Sequence, residues 1–207
     1  MSLSLPYEQG RRHTGDVDLT ATILSTGWAS GVNAYGTVAL LGILGRLGVG
    51  DVPAPITDDV VIGFAALLYA IEFVADKVPY IDNAWDAVHT LIRPAIGSAL
   101  GVELAGEGGG SELAGGLESG GTALASHTVK AGLRLALNTS PEPASNIVVS
   151  LLEDGAVATV VALALTHPVA AAIIAGTLLV LGIALVIVLA RVIRRALRTR
   201  RRRRLRE

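Results

Sequence analysis

The chain has 207 residues, 51% of them apolar and only 4% aromatic, with a formal charge of −1 and no cysteine. Without thiols, disulfides, thiol nucleophiles and Cys-ligated metals are excluded. The small net charge conceals a split: residues 191–207 hold ten of the seventeen basic residues and one acid, so the remainder carries seven basic against seventeen acidic residues, or −10.

Taken from the N-terminus, the first eighteen residues are polar and lack the composition of a cleavable signal peptide. Arg11 and Arg12 suit a cytoplasmic N-terminus. Six hydrophobic segments follow. The first, Leu19 to Gly45, is uncharged, and Gly27-x-Ala29-x-Gly31-x-Asn33 within it reads as a small-residue face or a helix break. The second runs from Asp59 to Asp76 with Glu72 inside it, and the third from about Asn83 to Leu104. Residues 106–121 (GEGGGSELAGGLESGG) read as a flexible external loop. Thr122 to Asn138 form a fourth segment and Ile147 to Leu165 a fifth. The sixth, Pro168 to Ala190, is twenty-three residues without a charge. About 20 apolar residues suffice to cross a bilayer as a helix. The Arg-rich tail follows at once, and basic flanks are held on the cytoplasmic side.

The segments fall into two sets. Pro53-x-Pro55-x-Thr57-Asp58-x-Val60-Val61 and Pro141-x-Pro143-x-Ser145-Asn146-x-Val148-Val149 share one pattern. Pro stops the preceding helix, and Thr57 or Ser145 can cap the next. Two units of three spans each would insert in opposite senses, the architecture of many secondary transporters. The expected fold is therefore an all-α integral membrane protein of about six transmembrane helices, as two inverted three-helix repeats. Its divisions are a polar N-terminus (1–18), repeats at 19–105 and 122–190, the loop at 106–121 and the tail at 191–207. The expected location is the bacterial inner membrane with both termini cytoplasmic.

Three stretches, Thr26-Gly27-Trp28-Ala29-Ser30-Gly31-Val32-Asn33-Ala34-Tyr35, Ala70-Ile71-Glu72-Phe73-Val74-Ala75-Asp76-Lys77-Val78-Pro79-Tyr80-Ile81-Asp82 and Asn138-Thr139-Ser140-Pro141-Glu142-Pro143, resemble a bacterial membrane family, domain of unknown function 4126. The likeness covers about residues 20–190. It implies a small multi-pass membrane protein and supplies no mechanism.

Chemistry must come from the ionisable residues inside the segments. Asp82, Asp86, His89 and Arg93 are spaced four, three and four apart. Thr122, Ser126, Lys130, Arg134 and Asn138 recur every fourth residue. Each set lies on one helix face. With Glu72, Asp76, Glu153 and Asp154 these groups converge in one layer. They are either static ion pairs or the lining of an inward-facing vestibule or ion path. The vestibule set is Glu72, Asp76, Asp86, His89, Arg93, Lys130, Arg134, Glu153 and Asp154, with Gly27, Gly31 and Asn33 at the repeat interface. His13, His89, His127 and His167 lack metal-ligand spacing, so no metal or other cofactor is expected. No P-loop or G-x-S-x-G motif is present. The expected function is a small secondary transporter or channel. The alternative is a non-transporting membrane scaffold whose residues 191–206 bind anionic lipid headgroups or a partner protein. No enzymatic activity is expected; a lipid-modifying enzyme using Asp86 and His89 is the remaining alternative. Expected partners are the lipid bilayer and a second copy of the chain, not nucleic acid.

Overall fold

Proline, glycine and asparagine divide the apolar sequence into helices. The computed structural model describes the backbone of residues 6–78, 81–138 and 143–204 and the side chains of 15–78, 81–138 and 144–195. Seven helices lie among these residues: α1 Pro6–Val32, α2 Ala34–Arg46, α3 Asp59–Ala75, α4 Ile81–Glu107, α5 Glu112–Leu137, α6 Pro143–Thr166 and α7 Pro168–Arg204.

The first hydrophobic segment is two helices. Asn33 leaves the helical region at φ −148°, ψ 96°, and its side-chain oxygen accepts from the Gly36 amide at 2.8 Å, an N-cap for α2. Gly48 and Gly50, both at φ 75°, turn the chain out of α2. Asp58, not Thr57, caps α3, accepting from the amides of Val60 at 2.9 Å and Val61 at 3.3 Å. Thr57 instead donates its hydroxyl to the Ala54 carbonyl, and Ser145 already lies inside α6.

The stretch expected to be a flexible loop is mostly helix. α4 continues to Glu107, a turn with Gly109 at φ 72° follows, and Ser111 caps α5, which carries residues 112–121. The glycines there serve packing. A Cβ built on Gly115 would lie 2.4 Å from the Gly101 carbonyl oxygen, and one on Gly101 would lie 2.1 Å from that of Gly115. Gly27 and Gly31 of α1 meet the backbone of Ser119 and Ala123 in the same way. α1, α4 and α5 therefore pack backbone to backbone, with α4 and α5 in the most extensive contact. An apolar core of Trp28, Ala29, Val32, Leu41, Val157, Val160, Val161 and Ala175 fills the space toward α6 and α7.

This architecture overturns the six-span membrane fold. Among the described residues, only two helices, over Ala144–Thr166 and Pro168–Arg195, are long and apolar enough to cross a membrane by length and composition. The reasons are local. Asn33 breaks the first segment and leaves α2 with 13 residues, and α3 has 17. α4 and α5 bury their ionisable stripes in a shared interior. The repeat fails with the span count, because the first unit holds four helices, α1–α4, and the second three, α5–α7. Asp58 and Asn146, equivalent in the repeat, do different work: Asp58 is an exposed cap, whereas Asn146 is buried against Asp82. The lipid bilayer as partner, the inner-membrane location and the cytoplasmic placing of both termini, read from basic residues beside expected spans, belonged to the six-span fold and are withdrawn with it. The same holds for headgroup binding by residues 191–206, of which the side chains beyond Arg195 lie outside the described residues. So do Pro79 and residues 139–142 of the repeat motifs.

The glycine contacts make a testable contrast on one helix. Gly115→Ala puts a methyl group into the backbone of α4 and should cost about 1–3 kcal/mol. Gly121→Ala meets nothing within 4 Å, so it should gain up to about 1 kcal/mol from helix propensity. Denaturant titration of the two variants checks both signs.

Candidate functional site

The two polar stripes meet across the close α4–α5 contact. Asp82, Asp86, His89 and Arg93 are all buried on α4, as are Ser126, Lys130, Arg134 and Asn138 facing them. Thr122, the outer member of the α5 stripe, turns back to the Glu118 carbonyl.

Three cations organise the interior. Arg93 donates to Glu72 Oε1 at 2.7 Å, and its other terminal nitrogen lies 3.0 Å from Asp86 Oδ1. Lys130 donates to Asp76 Oδ2 at 2.7 Å and stands 3.6 Å from Glu153 and 3.9 Å from Glu72. Arg134 grips Glu153 at 2.6 Å, donates to the Asp76 carbonyl at 2.7 Å and reaches Asp82 at 3.4 Å. Asp82 also receives the amides of Asn138 and Asn146. Asp154 accepts from Asn33 at 3.1 Å. Backbone takes part as well: Val32 O accepts from Lys130 at 3.0 Å and Gly31 O from Arg93 at 3.5 Å.

Of the expected residues, Glu72, Asp76, Asp86, Arg93, Lys130, Arg134 and Glu153 form one ion-pair network, and Asp154 lies outside those pairs, bonded to Asn33. They do not together line an open vestibule; of them, Lys130 and Glu153 border a cavity. The paired side chains are 0–3% exposed, except Glu153 at 17%. Transport or conduction through this layer is thereby overturned: the groups that would form the path are paired with one another in the core.

His89 lies to one side. Its Nδ1 is 2.8 Å from the Trp85 carbonyl and its Nε2 is 3.0 Å from the Tyr35 hydroxyl. A carbonyl only accepts, so Nδ1 carries the proton and Tyr35 donates to Nε2. The ring is stacked on Trp85 with centroids 4.5 Å apart. Both ring nitrogens are thus committed to partners other than Asp86.

His127 is the functional neighbour that spacing alone passed over. Its Nδ1 lies 2.8 Å from Arg93, which can only donate, so Nε2 holds the proton and points at Thr90 Oγ1, 3.2 Å away. One signal was available: His127, Lys130 and Arg134 are three and four residues apart, a second face line beside the α5 stripe.

Burial is the largest influence on Glu72, Asp76 and His127. It pushes the Glu72 carboxyl above its ordinary range, against the pull of Arg93 and Lys130. Burial would also raise Asp76, but Lys130 and Arg134 outweigh it and hold Asp76 below its usual value. His127 is pushed down to about 4, by burial and then by Arg93 and Lys130.

Two measurements follow from this network. Arg93→Met leaves Glu72 and Asp86 buried without their cation and should cost about 3–5 kcal/mol. Arg46→Met, which breaks the exposed pair with Asp59, should cost no more than about 1 kcal/mol. Equal losses in denaturant titration would remove the network as the stabilising feature.

The second concerns pH. Unfolded, His127 takes up a proton near its ordinary value of about 6.5; folded, it resists until about 4. Its contribution is therefore full above the unfolded value and is lost as pH falls toward the folded one, by up to about 3 kcal/mol. His127→Gln, which keeps one donor and one acceptor, should flatten that part of the stability profile. A profile unchanged from the parent would assign the pH dependence to other groups.

No curated protein and no solved structure matches the chain. Residues 20–188, most of its length, match the family described as Domain of unknown function (DUF4126). The motifs around Gly27–Asn33 and Glu72–Asp76, which supply the broken helix and the acids of the network, fall inside that match. The chain therefore belongs to the DUF4126 family.

Proposed function

We propose that the protein is a non-catalytic binding module for a small, mainly apolar molecule. The observation that carries this reading is a cavity of about 230 Å³ between α1, α5, α6 and α7. Trp28, Val129, Leu133, Ala156, Leu178 and Leu179 form its apolar walls, and Lys130 and Glu153 its polar corner. Ligand sites have this composition, apolar walls with a few placed polar groups that orient the occupant. An apolar cavity of about 150 Å³ already holds benzene, so this one has room for a substituted aromatic ring. Leu152 lines the cavity and is 68% exposed, so the space reaches the surface beside α6.

Binding is favoured over catalysis by the state of the titratable groups. Arg93, Lys130 and Arg134 are each held by carboxylates, and His89 and His127 by a carbonyl, a hydroxyl or a guanidinium. General acid–base work needs a group within hydrogen-bond reach of the substrate. Of the network carboxylates, Glu153 alone lines the cavity.

Ethylbenzene is a suitable probe, read through the fluorescence of Trp28. Saturable binding is expected in the parent. Ala156→Leu, which extends a wall residue into the space, should weaken it about tenfold or more, corresponding to about 1.4 kcal/mol. No saturable binding by the parent, or equal binding by the filled variant, would overturn the proposal.

A further inference from the structure

We infer that the occupant of this cavity is an organic cation, an aryl or alkyl body carrying a protonated amine, with the amine seated against Glu153. This rests on the cavity being a binding site, as argued above.

The charge balance of the surrounding core decides the sign. Six buried or half-buried carboxylates, Glu72, Asp76, Asp82, Asp86, Glu153 and Asp154, face Arg93, Lys130, Arg134 and the half-buried Lys77. Six acids face four cations, and even with Glu72 and Asp154, which burial pushes toward their neutral forms, left out, the remaining four acids match the four cations. An anionic headgroup entering the cavity would find no surplus of positive charge.

Lys130 offers an anion little. It already donates to Asp76 and to the Val32 carbonyl, with Glu153 and Glu72 beyond them. Glu153 is differently placed. It is the most exposed acid in the ion pairs of the core, and its Oε1 has only a long 3.4 Å contact with Arg134. That oxygen retains capacity to accept a hydrogen bond.

Two further features of the lining favour a positive end. Trp28 contributes an indole, the strongest of the aromatic faces for a cation. Val32, also in the lining, is the last residue of α1, so the negative end of that helix borders the same corner, its last carbonyl taken by Lys130. Carboxylate, indole and helix end act together, and the remaining walls are apolar.

Three nearly isosteric probes separate the possibilities by isothermal titration of the full chain: benzylammonium, ethylbenzene and phenylacetate. Benzylammonium should bind about tenfold or more tighter than ethylbenzene, a margin that one partly desolvated cation contact supplies. Phenylacetate should bind more weakly than either. In Glu153→Gln the preference for the ammonium should disappear while ethylbenzene binding persists. Because that variant also deprives Arg134 of a partner, the comparison in the parent stands as a test by itself. Ethylbenzene binding as well as or better than benzylammonium overturns the cation inference and leaves the binding site intact. Absence of binding by every probe overturns both.

Discussion

The interruption at Asn33 is the constraint on which the interior depends. A continuous helix through this point would consume the carbonyls of Gly31 and Val32 in its own hydrogen bonds. Because the helix stops, those carbonyls become acceptors, and Arg93 and Lys130 occupy them. Asn33 meets both sides of the break, capping α2 with its oxygen and donating its amide to Asp154. The negative end of one helix and the capped start of the next thus sit beside the cations and acids brought in by α3, α4, α5 and α6. The compensation is electrostatic and geometric at once.

That arrangement is possible only because the backbones come close. Gly27, Gly31, Gly101 and Gly115 let α1, α4 and α5 approach until a methyl group would collide with a carbonyl. At ordinary interhelical distances the guanidinium groups would need water or longer side chains to reach the carboxylates opposite. Small residues and buried charges are therefore two halves of one design. The ion pairs are costly to desolvate, and they are tolerated because nearly every charge meets an opposite one or a backbone dipole.

Each of the three cations meets at least one carboxylate, and Glu153 is the acid of the network that reaches open space. The apolar cavity beside it lies where α6 and α7 close over α1 and α5. Here the paired polar centre meets an apolar wall of Leu178, Leu179 and Leu152. The exposed apolar side chains of α3, such as Phe64, Leu67 and Val74, belong to a different face and do not contribute to it.

Much of this was legible in the sequence. Proline and polar punctuation placed the helices, with the segment from Asp59 ending within a residue of α3. The four-residue spacing of Lys130, Arg134 and Asn138, and the stripe from Asp82 to Arg93, marked the faces that became buried, because helical periodicity is a local property. The Gly27–Asn33 stretch carried the signal for a break. Partner choice was not legible. Glu72 pairs most closely with Arg93, with Lys130 beyond it at 3.9 Å, and His127 as well as Asp86 completes the guanidinium's surroundings. Those choices depend on the rotation and separation of whole helices. Nor could hydropathy separate an apolar helix that crosses a bilayer from one that encloses ion pairs, since both need apolar residues along most of their length. The residues determined which faces are polar and where helices end; only the close packing permitted by the glycines decided that those polar faces close on one another.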